Sequence, residues 1–285
     1  MKVDHLSLLT TPIILLKGDT RVSQGTGFYY VQPDSEKKLS AVFLVTNFHV
    51  LTGSSPSEKK PPIGDNIIFY CHQDENTPGK VKQLRLPLFT KKNDPIWIAS
   101  KEFPNADIGI IPLPSGLIAD CKIYGISEEW AGGDIAVRPT STVTLLGYPY
   151  GYFDTVNFLP IWKTGSVASE PKFDFEGKPL FLVDISAFPG MSGAPAFAIA
   201  HGTYQTEDGN TAVGSSIRKF LGIYASMQML TEKKFLEQIE SGKKPGVVLS
   251  ESLQIGHIWK AQLLINMIKS IDVPKYEKEI LGNLR

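Results

Sequence analysis

The chain has little cysteine, no surplus of either charge and no long apolar run, and each shortage excludes something. Two cysteines, Cys71 and Cys121, in 285 residues are too few for the dense disulfide frameworks of small secreted domains. They could pair with each other, but scarcity favours free buried thiols in a reducing compartment. Cys71 adjoins His72, yet two sulfurs and one imidazole without Cys-x-x-Cys spacing do not make a zinc site, so neither metal nor cofactor is expected. Lys plus Arg number 29 and Asp plus Glu 29, so no overall field draws the chain to nucleic acid or an anionic membrane. No stretch approaches the ~18 apolar residues of a membrane span. The opening MKVDHLSLLTTPIILLKGD is broken by Pro12 and lacks the uninterrupted apolar core and small-residue cleavage site of a secretory signal. A cytoplasmic location is expected.

What is present is turn chemistry and short apolar runs. With 25 glycines, 20 prolines and 42% hydrophobic residues, the composition suits short strands joined by tight turns. The runs ILL, GTGFYYV, AVFLVTNF, NIIFYCH, KQLRLPLF and IGIIPL read as strands with partial period-2 alternation.

The most informative segment is FPGMSGAPAF, around Ser192. Glycines on either side of the serine permit a turn in which successive N–H groups point one way, and those of Gly190 and Ser192 could cradle an oxyanion. A serine hydroxyl needs an oriented base to act as a nucleophile. LVTNFHVL places His49 just after an apolar run, and NADIGIIPL places Asp107 just before another. Each has a plainer reading alone: a Ser-Gly turn, a histidine at a strand end, an aspartate that starts a turn. Together, in the order His49, Asp107, Ser192, they match one of the known chain orders for a Ser-His-Asp triad. An α/β-hydrolase is excluded, because its nucleophile elbow needs G-x-S-x-G where this chain has Ala194. Its histidine would also have to follow the serine, where His201 and His257 stand without supporting context.

On these motifs the chain resembles the trypsin-like serine proteases of the chymotrypsin fold, closest to an intracellular HtrA-type protease domain without a PDZ domain. Thr46 to Val50 match the family's T-x-x-H-V, Asp107 to Ile110 its aspartate motif, and Pro189 to Pro195 its P-G-N-S-G-G-P. QGTGFYY, LLGYPYG, KTGSVAS, FLGIYAS and PGVVLS resemble further strands and turns in family order. The resemblance implies an all-β fold of two antiparallel six-stranded β-barrels with a C-terminal helix, one peptidase unit over 1–285. The barrels are expected over 10–115 and 138–252, the helix and tail over 253–285, the helix itself from near Ser250 to Ile271. His201 to Lys219 read as a polar insertion or a solvated hairpin tip.

The resemblance also implies roles. His49, Asp107 and Ser192 would be the catalytic triad of a serine endopeptidase acting on a protein or peptide, with Gly190 and Ser192 forming the oxyanion hole. Ser186, six residues before the nucleophile, would form the base of the substrate pocket, with walls from Tyr224, Ala225, Ser226 and Gly246. An uncharged base suits an apolar substrate side chain, although Asp184 lies two residues away. Two departures stand out. Met191 replaces the aspartate that binds a freed N-terminus in digestive members, and the matching Ile-Val-Gly-Gly start is missing. The loop must therefore be held by packing, for which Met191 is the candidate, or ordered by a ligand or regulatory partner. Ala194 replaces the usual glycine, which is mild if its φ is negative. The competing functions are a latent or inactive peptide-binding module on the same fold and an esterase sharing the mechanism.

Overall fold

The computed structural model describes residues 3–33, 40–235 and 246–284. Its strands are two antiparallel sets of six. The first set comprises β1 (Thr10–Lys17), β2 (Thr20–Gln32), β3 (Ala41–Thr46), β4 (Asn66–His72), β5 (Val81–Pro87) and β6 (Gly109–Pro112), in the spatial order β5-β4-β1-β2-β3-β6. These are the six runs read as strands, in chain order. Pro12 is tolerated inside β1 because β4 joins only from Ile14 onward, so the missing N–H interrupts no β1–β4 bond.

The second set is β7 (Thr142–Gly147), β8 (Ile161–Val167), β9 (Leu180–Asp184), β10 (Pro195–Gln205), β11 (Thr211–Phe235) and β12 (Gly246–Lys260), closed into a barrel in the order β10-β11-β12-β9-β8-β7. The first set forms a sheet whose hydrogen-bonded ladder runs from β5 to β6. The polar stretch from His201 to Lys219 is a paired hairpin of β10 and β11, with Gln205 opposite Thr211.

The helix begins later than its apolar spacing suggests. Residues 250–260 continue β12, where Ile255 to Trp259 pair with β9 and Ile258 to Lys260 with β11. Helix α3 spans Ala261–Lys269; α1 (His5–Leu8), α2 (Phe48–Thr52) and α4 (Val273–Glu279) are short. The reason is that Ile258 and Trp259 serve two sides of a strand. Ile258 enters the core of the closed barrel, while Trp259 packs outward with α3.

One core lies inside each set, built on Ile13, Leu15, Tyr29 and Phe69 in the first and Val143, Val183, Ala196 and Ile258 in the second. A third cluster joins them. Phe28 and Phe43 of the first set meet Phe197 and Phe220 of the second beneath Leu264 and Ile268 of α3. Full burial of each such side chain contributes about 1.5–3 kcal/mol, which fixes the two sets against each other along β2 and β10.

Cys71 and Cys121 are not free thiols. They form a disulfide with a Cα–Cα distance of 5.8 Å across a separation of 50 residues. The connection after Leu113 folds back against β4, where Lys122 N–H donates to the His72 carbonyl at 2.7 Å, and this brings the sulfurs together. The pairing removes the composition argument for a reducing compartment. No helix among the described residues is long and apolar enough to cross a membrane.

Candidate active site

The site forms where β2 of the first set meets the serine turn of the second. β3 ends at Thr46, and the chain turns through buried Asn47 into α2, whose second residue is His49. Asp107 lies two residues before β6, the strand that pairs with β3. The register between these strands therefore brings the two side chains together. Asp107 accepts two hydrogen bonds from the same residue, from the His49 backbone N–H at 2.9 Å and from Nδ1–H at 2.5 Å. A carboxylate so placed fixes the ring's orientation and its tautomer, with the proton on Nδ1 and a lone pair on Nε2. Asn47 Nδ2 donates to the Asp107 carbonyl at 2.6 Å, so the aspartate is held at main chain and side chain alike.

Ser192 reaches the same place from the second set. Its carbonyl accepts from Thr26 N–H at 2.8 Å. A Cβ added at Gly25 would stand 2.5 Å from Val50 Cγ2 and 3.2 Å from the Ser192 carbonyl. The neighbour of His49 and the backbone of Ser192 thus both abut one glycine of β2. Neither the Ser192 hydroxyl nor His49 Nε2 has a hydrogen-bond partner among the described residues.

The turn carrying Ser192 has three successive carbonyls tied down. Pro189 C=O accepts from Tyr150 N–H at 2.6 Å, Gly190 C=O from the Thr26 hydroxyl at 2.7 Å, and Met191 C=O from Ala194 N–H at 2.9 Å. In a trans peptide the N–H points opposite to the C=O. Tying the Pro189 and Met191 carbonyls therefore turns the N–H groups of Gly190 and Ser192 the other way. Among the described residues neither N–H donates to a protein group, so the pair is available to an acceptor.

Gly190 and Gly193 adopt φ of +97° and +89°, a region costly for residues with a Cβ. At Gly193 a Cβ would also lie 2.0 Å from the Thr26 carbonyl. Ala194 is not among the positive-φ residues, so its methyl brings no backbone strain. Met191 is fully buried in the second core, with its sulfur against Gly147.

The pocket residues separate into two groups. Tyr224 and Ala225 are buried and Ser226 is exposed on β11, and Ser186 is exposed beyond the end of β9. Tyr224 N–H donates to Ala194 C=O and its own carbonyl accepts from Gly193 N–H, both at 2.9 Å, so the strand lies directly against the serine turn. Burial pushes the Tyr224 phenol well above its usual range, leaving it a neutral group. Gly246 does not belong with them. It pairs with Phe235 at the far end of the β11–β12 ladder. The glycine facing Tyr224 is Gly256, where a Cβ would come 2.5 Å from the ring. The two glycines share a strand, and only the register tells them apart. Asp184 is exposed on β9, opposite Ile255.

The sequence reading missed Thr26, Asn47, Tyr150 and His257 as parts of this region. Thr26 offered a signal, as a polar residue between two glycines in the run GTGFYYV, which is otherwise apolar. His257 Nδ1 lies 3.3 Å from Ser226 Oγ, and partial burial lowers its pKa. A groove of about 530 Å³ between residues 98–102 and α3–α4 shares no residue with the site.

Residues 25–203 match the family described as the trypsin-like peptidase domain. No curated protein matches the chain by sequence. Among solved structures, the Rv3671c protease in its inactive form is 15% identical over 94% of this chain and 90% of its own, with a TM-score of 0.43. The scabies mite inactivated protease paralogue S-I1 is 16% identical over 95% and 97%, with a TM-score of 0.44. The family match runs from the glycine of β2 that abuts the site to the strand beyond Ser192, more than half of the chain, and the chain belongs to the trypsin-like peptidase family.

Proposed function

We propose that the protein is a serine endopeptidase in which His49, Asp107 and Ser192 act as the catalytic triad. The observation that carries this reading is the double hydrogen bond from His49 to Asp107, at 2.9 and 2.5 Å, beside a serine turn with two outward N–H groups. His49 Nε2 takes the Ser192 proton as Oγ attacks the substrate carbonyl, and returns it to the leaving amine as the peptide bond breaks. Asp107 stabilises the imidazolium without taking its proton. The N–H groups of Gly190 and Ser192 receive the oxyanion, a contribution of about 3–4 kcal/mol for each donor. Water then attacks the acyl-enzyme by the same route in reverse, releasing the acid and free Ser192. Ser186 offers no charge at the pocket base, which supports an uncharged, apolar substrate side chain next to the cleaved bond.

Covalent labelling by a fluorophosphonate tests the reading. Wild-type protein is expected to label between pH 7 and 8, and Ser192→Ala and His49→Ala to remain unlabelled. An unlabelled wild type, or equal labelling of Ser192→Ala, overturns it. Hydrolysis of a peptide library by the unlabelled wild-type protein, abolished by prior labelling, separates a peptidase from an esterase.

A further inference from the structure

The serine turn lacks the salt bridge that the resemblance associates with activation, since Met191 stands where an aspartate would bind a freed N-terminus. Something else must hold Gly190 and Ser192 with their N–H groups outward. Packing of Met191 contributes, but packing does not choose between the two faces of a peptide. Hydrogen bonds do, because a flipped peptide leaves its carbonyl without a partner.

Of the three carbonyls in the turn, that of Gly190, between the two donor peptides, is held by Thr26. Thr26 is fully buried at the middle of β2 and all four of its hydrogen-bonding contacts join segments of the site. Its hydroxyl donates to Gly190 C=O at 2.7 Å and accepts from Tyr148 N–H at 3.1 Å. Its backbone N–H donates to Ser192 C=O at 2.8 Å, and its carbonyl accepts from the Thr46 hydroxyl at 2.7 Å. The Tyr148 bond matters twice. Two residues on, Tyr150 N–H holds the Pro189 carbonyl, from a backbone with φ of +51° that a tyrosine adopts only under constraint. The turn at 148–150 lies tight against Gly190, where a Cβ would meet the Tyr148 carbonyl at 2.4 Å. One hydroxyl therefore fixes the peptide after Gly190 directly and the peptide before it through Tyr150.

We propose that Thr26 is a positioning residue for the oxyanion hole, whose hydroxyl locks the Gly190 turn in its donor-outward form without a cleaved N-terminus or an activating ligand. This rests on the serine-peptidase reading above. Thr26 is fully buried and its hydrogen bonds go to Gly190, Tyr148, Ser192 and Thr46 rather than to the His49 or Asp107 side chains, so its loss alters the oxyanion donors and spares the base.

The test compares wild type with Thr26→Val, which keeps the shape and removes the hydroxyl, and Thr26→Ser, which keeps the hydroxyl. The probe is a fluorophosphonate, and the readouts are its second-order labelling rate, the pH midpoint of that rate, and the melting curve. Thr26→Val is expected to label ~10²–10³-fold more slowly, the loss one oxyanion donor carries, with the wild-type pH midpoint. Thr26→Ser is expected to restore labelling to within about tenfold of wild type. A merely structural role would lower the melting temperature of the valine variant and leave the labelling rate of the folded fraction unchanged. Labelling of folded Thr26→Val within about threefold of wild type overturns the proposal and leaves the peptidase intact. Equal slowing in the serine variant also overturns it. An unlabelled wild type overturns the peptidase reading and this proposal together. Should Thr26→Val fail to melt cooperatively, Thr26→Ala, which leaves room for a water, is held to the same criteria.

Discussion

Replacing Asp107 by asparagine changes one oxygen to an NH₂ group, and on the serine-peptidase reading the geometry around His49 predicts the loss of most of the activity. The carboxylate serves two donors of one residue, the His49 backbone N–H at 2.9 Å and Nδ1–H at 2.5 Å. An asparagine has one acceptor oxygen and one donor nitrogen. The backbone N–H cannot change its role, so the amide oxygen is expected to face it and the NH₂ to face Nδ1. The ring then gives up its Nδ1 proton and carries it on Nε2, the nitrogen that in the proposed triad must accept from Ser192. In the opposite amide orientation, two donors oppose each other at the backbone, at a cost of about 1–3 kcal/mol. Either way the base is lost or displaced, and the labelling rate should fall ~10⁴-fold at pH 7.5, as it does for this change in a Ser-His-Asp protease. That factor corresponds to about 5.4 kcal/mol in the barrier. Single-turnover fluorophosphonate labelling of both proteins measures it, and thermal melting confirms that the variant is folded. A folded Asp107→Asn labelling within tenfold of wild type would refute the assignment of Asp107 as the residue that sets the ring tautomer.

Three further outcomes follow from the same geometry. Gly193→Ala should lose labelling and melt several degrees lower, because its Cβ would lie 2.0 Å from the Thr26 carbonyl at a φ of +89°; an active, equally stable variant would contradict this backbone. Reducing the Cys71–Cys121 bond releases a loop of 50 residues, for which the chain-entropy estimate is about 4 kcal/mol, or on the order of 10 °C in melting temperature; an unchanged melt in dithiothreitol counts against the pairing. His72 is buried with Nδ1–H donating to Pro78 C=O at 2.8 Å, and burial holds its pKa below the ordinary 6.5. The unfolded chain then binds the extra proton first, so stability rises with pH in this window. Stability should be fully present above about 6.5 and fall as pH drops from there toward the lowered value. His72→Gln should flatten that part of the pH–melting curve, and an unaltered slope would exclude His72 as its source.

What could be read from the sequence is what is local in it. The contexts of His49, Asp107 and Ser192 are contiguous, and each marks a strand end or a turn that sterics dictate within a few residues. Six apolar runs became six strands for the same reason. The errors came where two local readings were equally good. Ile255, Ile258 and Trp259 fit one helical face, and they also fit a strand packed on both sides; pairing with β9 and β11 decided for the strand. Gly246 and Gly256 are both glycines on a strand beside an apolar run, and only the ladder places the second against Tyr224. Paired or free, Cys71 and Cys121 had to be settled by how the connection after Leu113 folds back.

Thr26 shows the limit most clearly. Its hydroxyl acts on Gly190, 164 positions along the chain, and no periodicity or spacing encodes so distant a partner. What the sequence does hold is the consequence of that contact. Gly25 stands where a Cβ would strike Val50 and crowd the Ser192 carbonyl, and Gly27 where one would strike Ile13. The glycines around Thr26 thus mark a strand approached from more than one direction, with a polar side chain at its centre. A buried threonine in such a crossing must spend its hydroxyl on a fixed partner or lose stability. Here that partner is the carbonyl of the peptide between the two proposed oxyanion donors, so on this reading the bond that satisfies the core also orients the turn that carries them.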